Sequence, residues 1–228
     1  MEDYKKLIIT IIVLILAFSL IKYGFNANSS SDKNSKIILG NKSYGYAEKE
    51  VYGNPESNET IVLITGVHPR ESGFHNATAA ALKDKSSKLH KKYILYKIHV
   101  TRSPMHFTIG RMNGQLIANK IVVPDVIKVR PELVVDVHED LGDEVGYKYY
   151  RFIYPISKDN ETINYINNIT QKISYLKRYS PGGSSPLYVT KPIARKGIHA
   201  IVYETYKYDS YERKYSDACH FIDVLDQL

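Results

Sequence analysis

Tryptophan is absent from this chain of 228 residues, and cysteine occurs once, at Cys219. A single thiol excludes an intrachain disulfide and any zinc cage built on cysteine; on the apolar face of a predicted helix, Cys219 reads as buried filler. Several catalytic signatures are missing as well. There is no Gly-x-Ser-x-Gly for a nucleophile elbow, His138-Glu139 does not continue to His-Glu-x-x-His, and Ser174-x-x-Lys177 has no accompanying Lys-Thr-Gly. No internal repeat is visible. Acidic residues are in the minority, 24 against 31 Lys and Arg, for a net charge of +7. The basic residues are scattered without a recognised nucleic-acid signature, so no nucleic acid is expected as partner. A basic outer face near anionic lipid or an acidic polymer fits the same charge.

Against these absences stands one long apolar run, "LIITIIVLILAFSLI" at residues 7–21, flanked by Lys5, Lys6 and Lys22. With Tyr23 and Phe25 it nears the roughly 20 residues a membrane helix needs. No small-x-small cleavage site follows, so residues 1–25 read as a cytoplasmic stub and an uncleaved membrane anchor. The lysines before the run place the N-terminus in the cytoplasm and the body outside, at the cell membrane. Asn-x-Ser/Thr triplets at Asn28, Asn41, Asn58, Asn76, Asn160 and Asn168 suit an exported chain. Residues 26–36, "NANSSSDKNSK", read as a flexible tether. Residues 37–228 then form one domain, long enough to bury about 70% of its unfolded surface.

Within that body, apolar and β-branched runs at 61–67, 93–100, 133–137, 151–156 and 200–206 predict strands. Helical spacing joins Phe74, Ala77, Thr78, Ala81 and Leu82, then Ile163, Ile166, Thr170, Ile173 and Leu176, and finally Tyr211, Tyr215, Ala218, Cys219, Ile222 and Leu225. Interleaved apolar strands and amphipathic helices predict an α/β fold, a three-layer sandwich with a mostly parallel or mixed central sheet, preceded by one transmembrane helix.

In such a sheet ligands collect at the carboxyl ends of the strands. There the sequence places "GVHPRESG" after the first run, "LVVDVHED" at the third and "AIVYETY" at the last. His68 and Glu71 share one strand-to-helix corner, where a helix N-terminus favours an ionised carboxylate. His138 supplies a third ligand from a neighbouring strand, leaving one position open, the pattern of hydrolytic zinc. Asp136 points to the same side as His138 and can accept its other ring N–H. Glu204 remains as a carboxylate free to take a proton from water. His75 reads as solvent-facing or a second layer behind the ligands, Glu139 and Asp140 as a charged loop from which either could touch the site, and "SPGGSSP" at 180–186 as a mobile loop, with a lid over the cleft as the alternative. Among the tyrosines, Tyr188, Tyr203, Tyr206 and Tyr208 are candidates to touch a substrate.

In order and local sequence these three segments resemble the His-x-x-Glu motif, the later Asp-x-His and the catalytic-Glu strand of zinc carboxypeptidases and of the related succinylglutamate desuccinylase/aspartoacylase deacylases. The resemblance spans residues 37–228. It implies one Zn2+ ion on His68, Glu71 and His138, with Asp136 behind His138 and Glu204 as general base and then acid. It also implies an arginine that polarises the scissile carbonyl and an Asn-Arg pair for a substrate carboxylate. In "TRSPMHFTIGRMNGQ", Arg102 and Arg111 stand where such residues belong, as catalytic candidates, and Arg111 with Asn113 would bind substrate, although Asn113 follows its arginine instead of preceding it. The implied activity is hydrolysis of an amide, in a peptide of the cell envelope or in an N-acyl amino acid. A zinc-binding module without turnover is the competing class, but all four core residues are present.

Overall fold

A computed structural model describes residues 36–181 and 185–228. The expected membrane segment at 7–21 and nearly all of the tether lie outside the described residues, as do residues 182–184 of the glycine-rich loop. Among the described residues no helix is long and apolar enough to cross a membrane.

The chain runs β1 (Ile37–Lys42), β2 (Gly45–Gly53), β3 (Thr60–Thr65), α1 (Ser72–Lys85), β4 (Lys92–Val100) and α2 (Phe107–Ile117). A π-helical turn (Ala118–Val122) follows, then α3 (Val123–Val129), β5 (Leu133–Asp140), β6 (Phe152–Pro155) and α4 (Asn160–Lys172). It ends with β7 (Lys177–Arg178), two short helices, α5 (Ser185–Tyr188) and α6 (Thr190–Ala194), then β8 (His199–Tyr206) and α7 (Tyr211–Leu225). The strands form one mixed sheet in the order β1-β2-β4-β3-β5-β8-β6-β7. Its centre, from β4 through β3 and β5 to β8, is parallel, and antiparallel strands join on both sides.

Alternation along the central strands sorts the core into two faces. Leu63, Val135, Val137, Ile201 and Tyr203 pack under α1, α4 and α7, against Phe74, Leu82, Ile166 and Phe221. Val62, Ile64, Val134 and Ala200 pack on the other face, against Ile117, Val122, Val126 and Ile193. The three-layer α/β expectation therefore holds for the described residues.

Two parts differ from the sequence reading. The β1–β2 hairpin was not anticipated, because the buried side of β2 holds Glu48 and Glu50 where apolar residues would have revealed a strand. These carboxylates are matched by Lys36 and His99, and by Lys97. Helix α2 was also unread. Its buried residues are Gly110, Gly114, Gln115 and Ile117, so no apolar stripe marks its buried face. Those glycines set its position. A Cβ on Gly114 would stand 2.1 Å from the carbonyl oxygen of Val67, so the helix backbone lies directly against the residue before His68.

Candidate functional site

Strand β3 ends at Thr65, and the chain turns at Gly66, whose φ of +82° and close approach to the Ile98 carbonyl leave no room for a side chain. This turn delivers His68 and Glu71 to the carboxyl end of the sheet. Glu71 occupies the N-cap of α1 without capping it by its side chain. The orphan amide of Phe74 is taken instead by Glu139, at 2.7 Å. The same Glu139 oxygen pairs with Lys214 at 2.7 Å, and Lys214 also donates to the Lys207 carbonyl. Glu139 and Lys214 thereby tie α1, β5 and the β8–α7 turn together while Glu71 stays free for another task. Glu139 and Asp140 are not a charged loop, since β5 runs on to Asp140 and both residues are buried, but both do line the cleft, as the alternative expectation had it.

Glu71 lies between two imidazoles. Its Oε1 is 2.8 Å from Nδ1 of His68 and its Oε2 is 2.8 Å from Nδ1 of His138. Arg111 donates to Oε1 at 3.1 Å, and the amide of Glu139 donates to Oε2 at 3.3 Å. Donor atoms of His68, Glu71 and His138 all fall within 4.8 Å of one another, and the three residues are buried. Even-numbered residues of β5 face the α2 side, so His138 has Asp136 behind it. Asp136 Oδ1 lies 3.1 Å from His138 Nε2, near enough for charge attraction though not aligned as a hydrogen bond, and neither Asp136 oxygen has a hydrogen-bond partner. His68 is backed by the amide of Gln115, 3.4 Å from its Nε2. Amide nitrogen and oxygen can exchange places by a half-turn, so Gln115 can accept a ring N–H there and leave Nδ1 as the donor atom.

Glu204 is the register partner of His138 on the adjacent strand. Among the described residues no hydrogen-bond donor reaches its carboxyl, and burial pushes it well above the usual carboxylate range, with Glu71, Asp140 and Asp136 adding to the effect against the opposing His138. Burial acts on Glu71 in the same direction, but His68 and His138 outweigh it and hold Glu71 well below that range. Two carboxyls of one cleft are thus driven apart in ionisation, the mark of different chemical tasks. Burial keeps His68 neutral, its pKa brought down to about 4, whereas Asp136 and Glu71 overcome burial at His138 and raise it.

The residues fit a divalent cation. Two neutral-capable imidazoles and one carboxylate converge on one point, and a second carboxylate behind His138 has unfilled acceptor capacity. Beside them opens a cleft of about 300 Å³, lined by Arg70, Arg111 and Phe107 on one side and by Asp140, Tyr147, Tyr154, Glu204 and Tyr208 on the other. The guanidinium carbons of Arg111 and Arg70 sit 5.2 and 5.9 Å from the Phe107 ring centre.

Of the residues predicted from sequence, His68, Glu71, Asp136, His138, Glu204 and Arg111 gather here. Arg102 is exposed and absent from the cleft lining, and Asn113 donates to the Arg102 carbonyl at 2.9 Å, bracing the loop before α2. His75, expected at the solvent or behind the ligands, is a buried strut: the Gly66 amide donates to its Nδ1, and its Nε2 bonds the Val137 carbonyl. Tyr203 is core, packed on Phe74 and Phe221, while Tyr208 does line the cleft. Gln115, Tyr147 and Tyr154 went unread. For Gln115 a signal existed, since Arg111 and Gln115 are four apart and share a helix face once α2 is recognised.

No family model matches the chain, and no curated protein matches it in sequence. Its fold is nevertheless found among solved structures. A metallo-carboxypeptidase from Burkholderia cenocepacia superposes with a TM-score of 0.62 at 13% identity, over 89% of this chain and 67% of that one. The cell shape determinant protein Csd4 from Helicobacter pylori, as an apo structure, gives 0.51 at 13% identity over 78% of this chain and 53% of its own length. The tripeptide-bound form of Csd4 gives 0.51 at 11% identity. The chain thus has the metallocarboxypeptidase-like fold and spans about half the length of Csd4.

Proposed function

We propose that the protein is a zinc-dependent hydrolase that cleaves an amide bond at the end of a peptide. The observation that carries this reading is the placement of Glu71 between the Nδ1 atoms of His68 and His138, with Glu204 alongside on the next strand. His68, Glu71 and His138 would hold the ion, and two nitrogens with one carboxylate oxygen form a donor set suited to zinc. Bound there, such an ion acidifies a water molecule and polarises a carbonyl. Glu204 takes the proton of the attacking water and returns it to the departing amine. Arg111, at the cleft wall, stabilises the developing negative oxygen or holds the substrate carboxylate, and Asp136 keeps the His138 ring oriented. Arg102 is too far outside the lining to be given either task. A cleft of this size, walled by Tyr147, Tyr154 and Tyr208, receives about one or two residues of a chain.

The peptide-bound relative and the carboxypeptidase neighbour support a peptide over an N-acyl amino acid. The apolar run at 7–21 supports a domain held at the outer surface of a membrane, where envelope peptides are the substrates at hand. The test is a metal assay coupled to a substrate panel. Purified protein should contain close to one zinc per chain, lose amide hydrolysis with a chelator and recover it with zinc. Turnover of N-acyl amino acids without peptides would replace the peptidase reading by a deacylase, and metal without any turnover would make it a binding module. Anchoring is tested by fractionation and by protease added to intact cells, which should digest the body; a full-length soluble protein refutes it.

A further inference from the structure

The two helical layers differ in charge. On the α1/α4/α7 side acids and bases alternate and pair, as in Lys85–Asp223 at 2.7 Å and Arg213–Asp217 at 2.9 Å. Residues 101–130, which build α2 and α3, carry exposed Arg102, Lys120, Lys128 and Arg130 against a single acid, Asp125. That acid is already neutralised by Lys49 at 2.8 Å, with the Tyr96 hydroxyl on the same oxygen at 2.7 Å. Residues 185–197, which build α5 and α6, add Lys191, Arg195 and Lys196 and no acid. Asn119 joins the two segments through the Tyr188 carbonyl at 2.8 Å.

The same layer exposes apolar side chains. Apart from Met1, the methionines of the chain are Met105 and Met112, which are 74% and 39% exposed, and Ile109, on α2 with Met112, is 45% exposed. Met105, Ile109 and Met112 are spaced i, i+4, i+7 on the outer side of α2 and the turn before it, away from the buried Gly110, Gly114 and Gln115. An apolar ridge in a basic surround whose one acid is already paired is the chemistry of an interfacial helix, in which apolar side chains enter the acyl boundary and cations meet anionic headgroups. We propose that this face docks on an anionic bilayer surface, with Met105, Ile109 and Met112 as the inserted ridge. Phe107, on the other side of the same helix, lines the cleft, so docking through α2 holds the cleft about one helix width, roughly 10 Å, from the headgroups, where membrane-bound peptide would be presented.

The absence of tryptophan supplies the probe. The full-length chain with Met112→Trp is mixed with vesicles of brominated phosphatidylcholine, with or without phosphatidylglycerol. Its fluorescence should be quenched on the anionic vesicles, weakly on the zwitterionic ones, and less at 1 M salt, where the screening length is about 3 Å. Tyr211→Trp, on the opposite layer, should stay unquenched. Lys120→Gln added to Met112→Trp should weaken the effect about fivefold, the share of one basic residue at such a surface. Attachment through residues 7–21 alone would treat both tryptophan positions alike, so equal quenching overturns the proposal. Absence of quenching at Met112→Trp, or indifference to lipid charge, overturns it too. None of these readouts depends on hydrolysis, so this inference and the peptidase reading fail separately.

Discussion

The two layers covering the sheet are built differently. Under α1, α4 and α7 the sheet meets large apolar side chains, Phe74, Leu82, Ile166 and Phe221, from long amphipathic helices. On the other side α2 brings Gly114 against the Val67 carbonyl just past β3, its Arg111 and Gln115 point at the ligand corner, and the even positions of β5 turn from Val134 to Asp136, His138 and Asp140. Both layers bury apolar side chains, but only the second gives up burial at the carboxyl end of β5 to carry a cleft. The difference predicts that damage to the first should appear as lost stability with chemistry unchanged per folded molecule, and damage to the second as lost metal or lost rate with less effect on folding.

The largest effect belongs to the ligand corner. His68→Ala or His138→Ala removes one of three protein ligands, so zinc affinity should fall by orders of magnitude in a chelator competition. Retention of full metal by both variants would move the site elsewhere. Next comes Glu204→Gln, which preserves shape and hydrogen-bonding capacity but cannot accept the proton. Zinc content should stay near that of the parent while the rate drops on the order of 10²- to 10⁴-fold, with the acidic limb of the pH–rate profile altered. Turnover at the parental rate would take the base role from Glu204 and make Asp140 the candidate, a cleft carboxyl whose Oδ2 has no hydrogen-bond partner among the described residues.

The same contrast explains how much was legible in the sequence. The α1/α4/α7 layer was readable because apolar spacing dominates its buried faces, and β3, β5 and β8 were readable as apolar runs. His68, Glu71, Asp136, His138 and Glu204 stood out because polar residues at the ends of such runs need a reason. What escaped was built without apolar signal. Helix α2 buries glycine and glutamine, β2 buries carboxylates whose partners sit just before β1 and on β4, and Tyr147 and Tyr154 reach the cleft through sheet order that no local pattern encodes. Arg102 and Asn113 were placed by analogy of spacing, and the turn at Ser103 and Pro104 sends the Arg102 side chain to solvent while Asn113 holds its backbone.

A middle pair of substitutions sets the layers directly against each other. Leu82→Ala, fully buried beneath α1, should cost about 2–5 kcal/mol of stability in denaturant unfolding. Zinc affinity and rate per folded molecule should be unchanged. Gly114→Ala forces a Cβ against the Val67 carbonyl and should cost about 1–3 kcal/mol as overpacking. Here zinc affinity should fall as well, because the strain is relieved by moving the segment that carries His68. If Leu82→Ala lost metal affinity as Gly114→Ala does, the division of labour between the layers would be wrong.

The smallest effect tests the one acid of the basic layer. Burial alone would raise the Asp125 carboxyl, but hydrogen bonds from Lys49 and Tyr96 and the Lys49 charge overcome it and hold the group below its ordinary value. A carboxyl lowered in the folded state contributes stability above its unfolded pKa, near 4, and loses that contribution as pH falls through the folded value. Asp125→Asn keeps an acceptor for the Tyr96 hydroxyl and removes only the charge pair with Lys49, which is partly solvated and worth at most about 1 kcal/mol. The parent should therefore exceed the variant by that amount or less at pH 7, and the two unfolding curves should converge as pH falls through the lowered folded value. A gap that stays constant across this range would mean that packing, not charge, holds α3 on the sheet. In the vesicle assay the substitution acts the other way: with Asp125 neutral, residues 101–130 carry no negative charge, and quenching of Met112→Trp on anionic vesicles should rise slightly, since the carboxylate that Lys49 had offset is gone and Lys49 is left free to add its charge to the same side of the sheet.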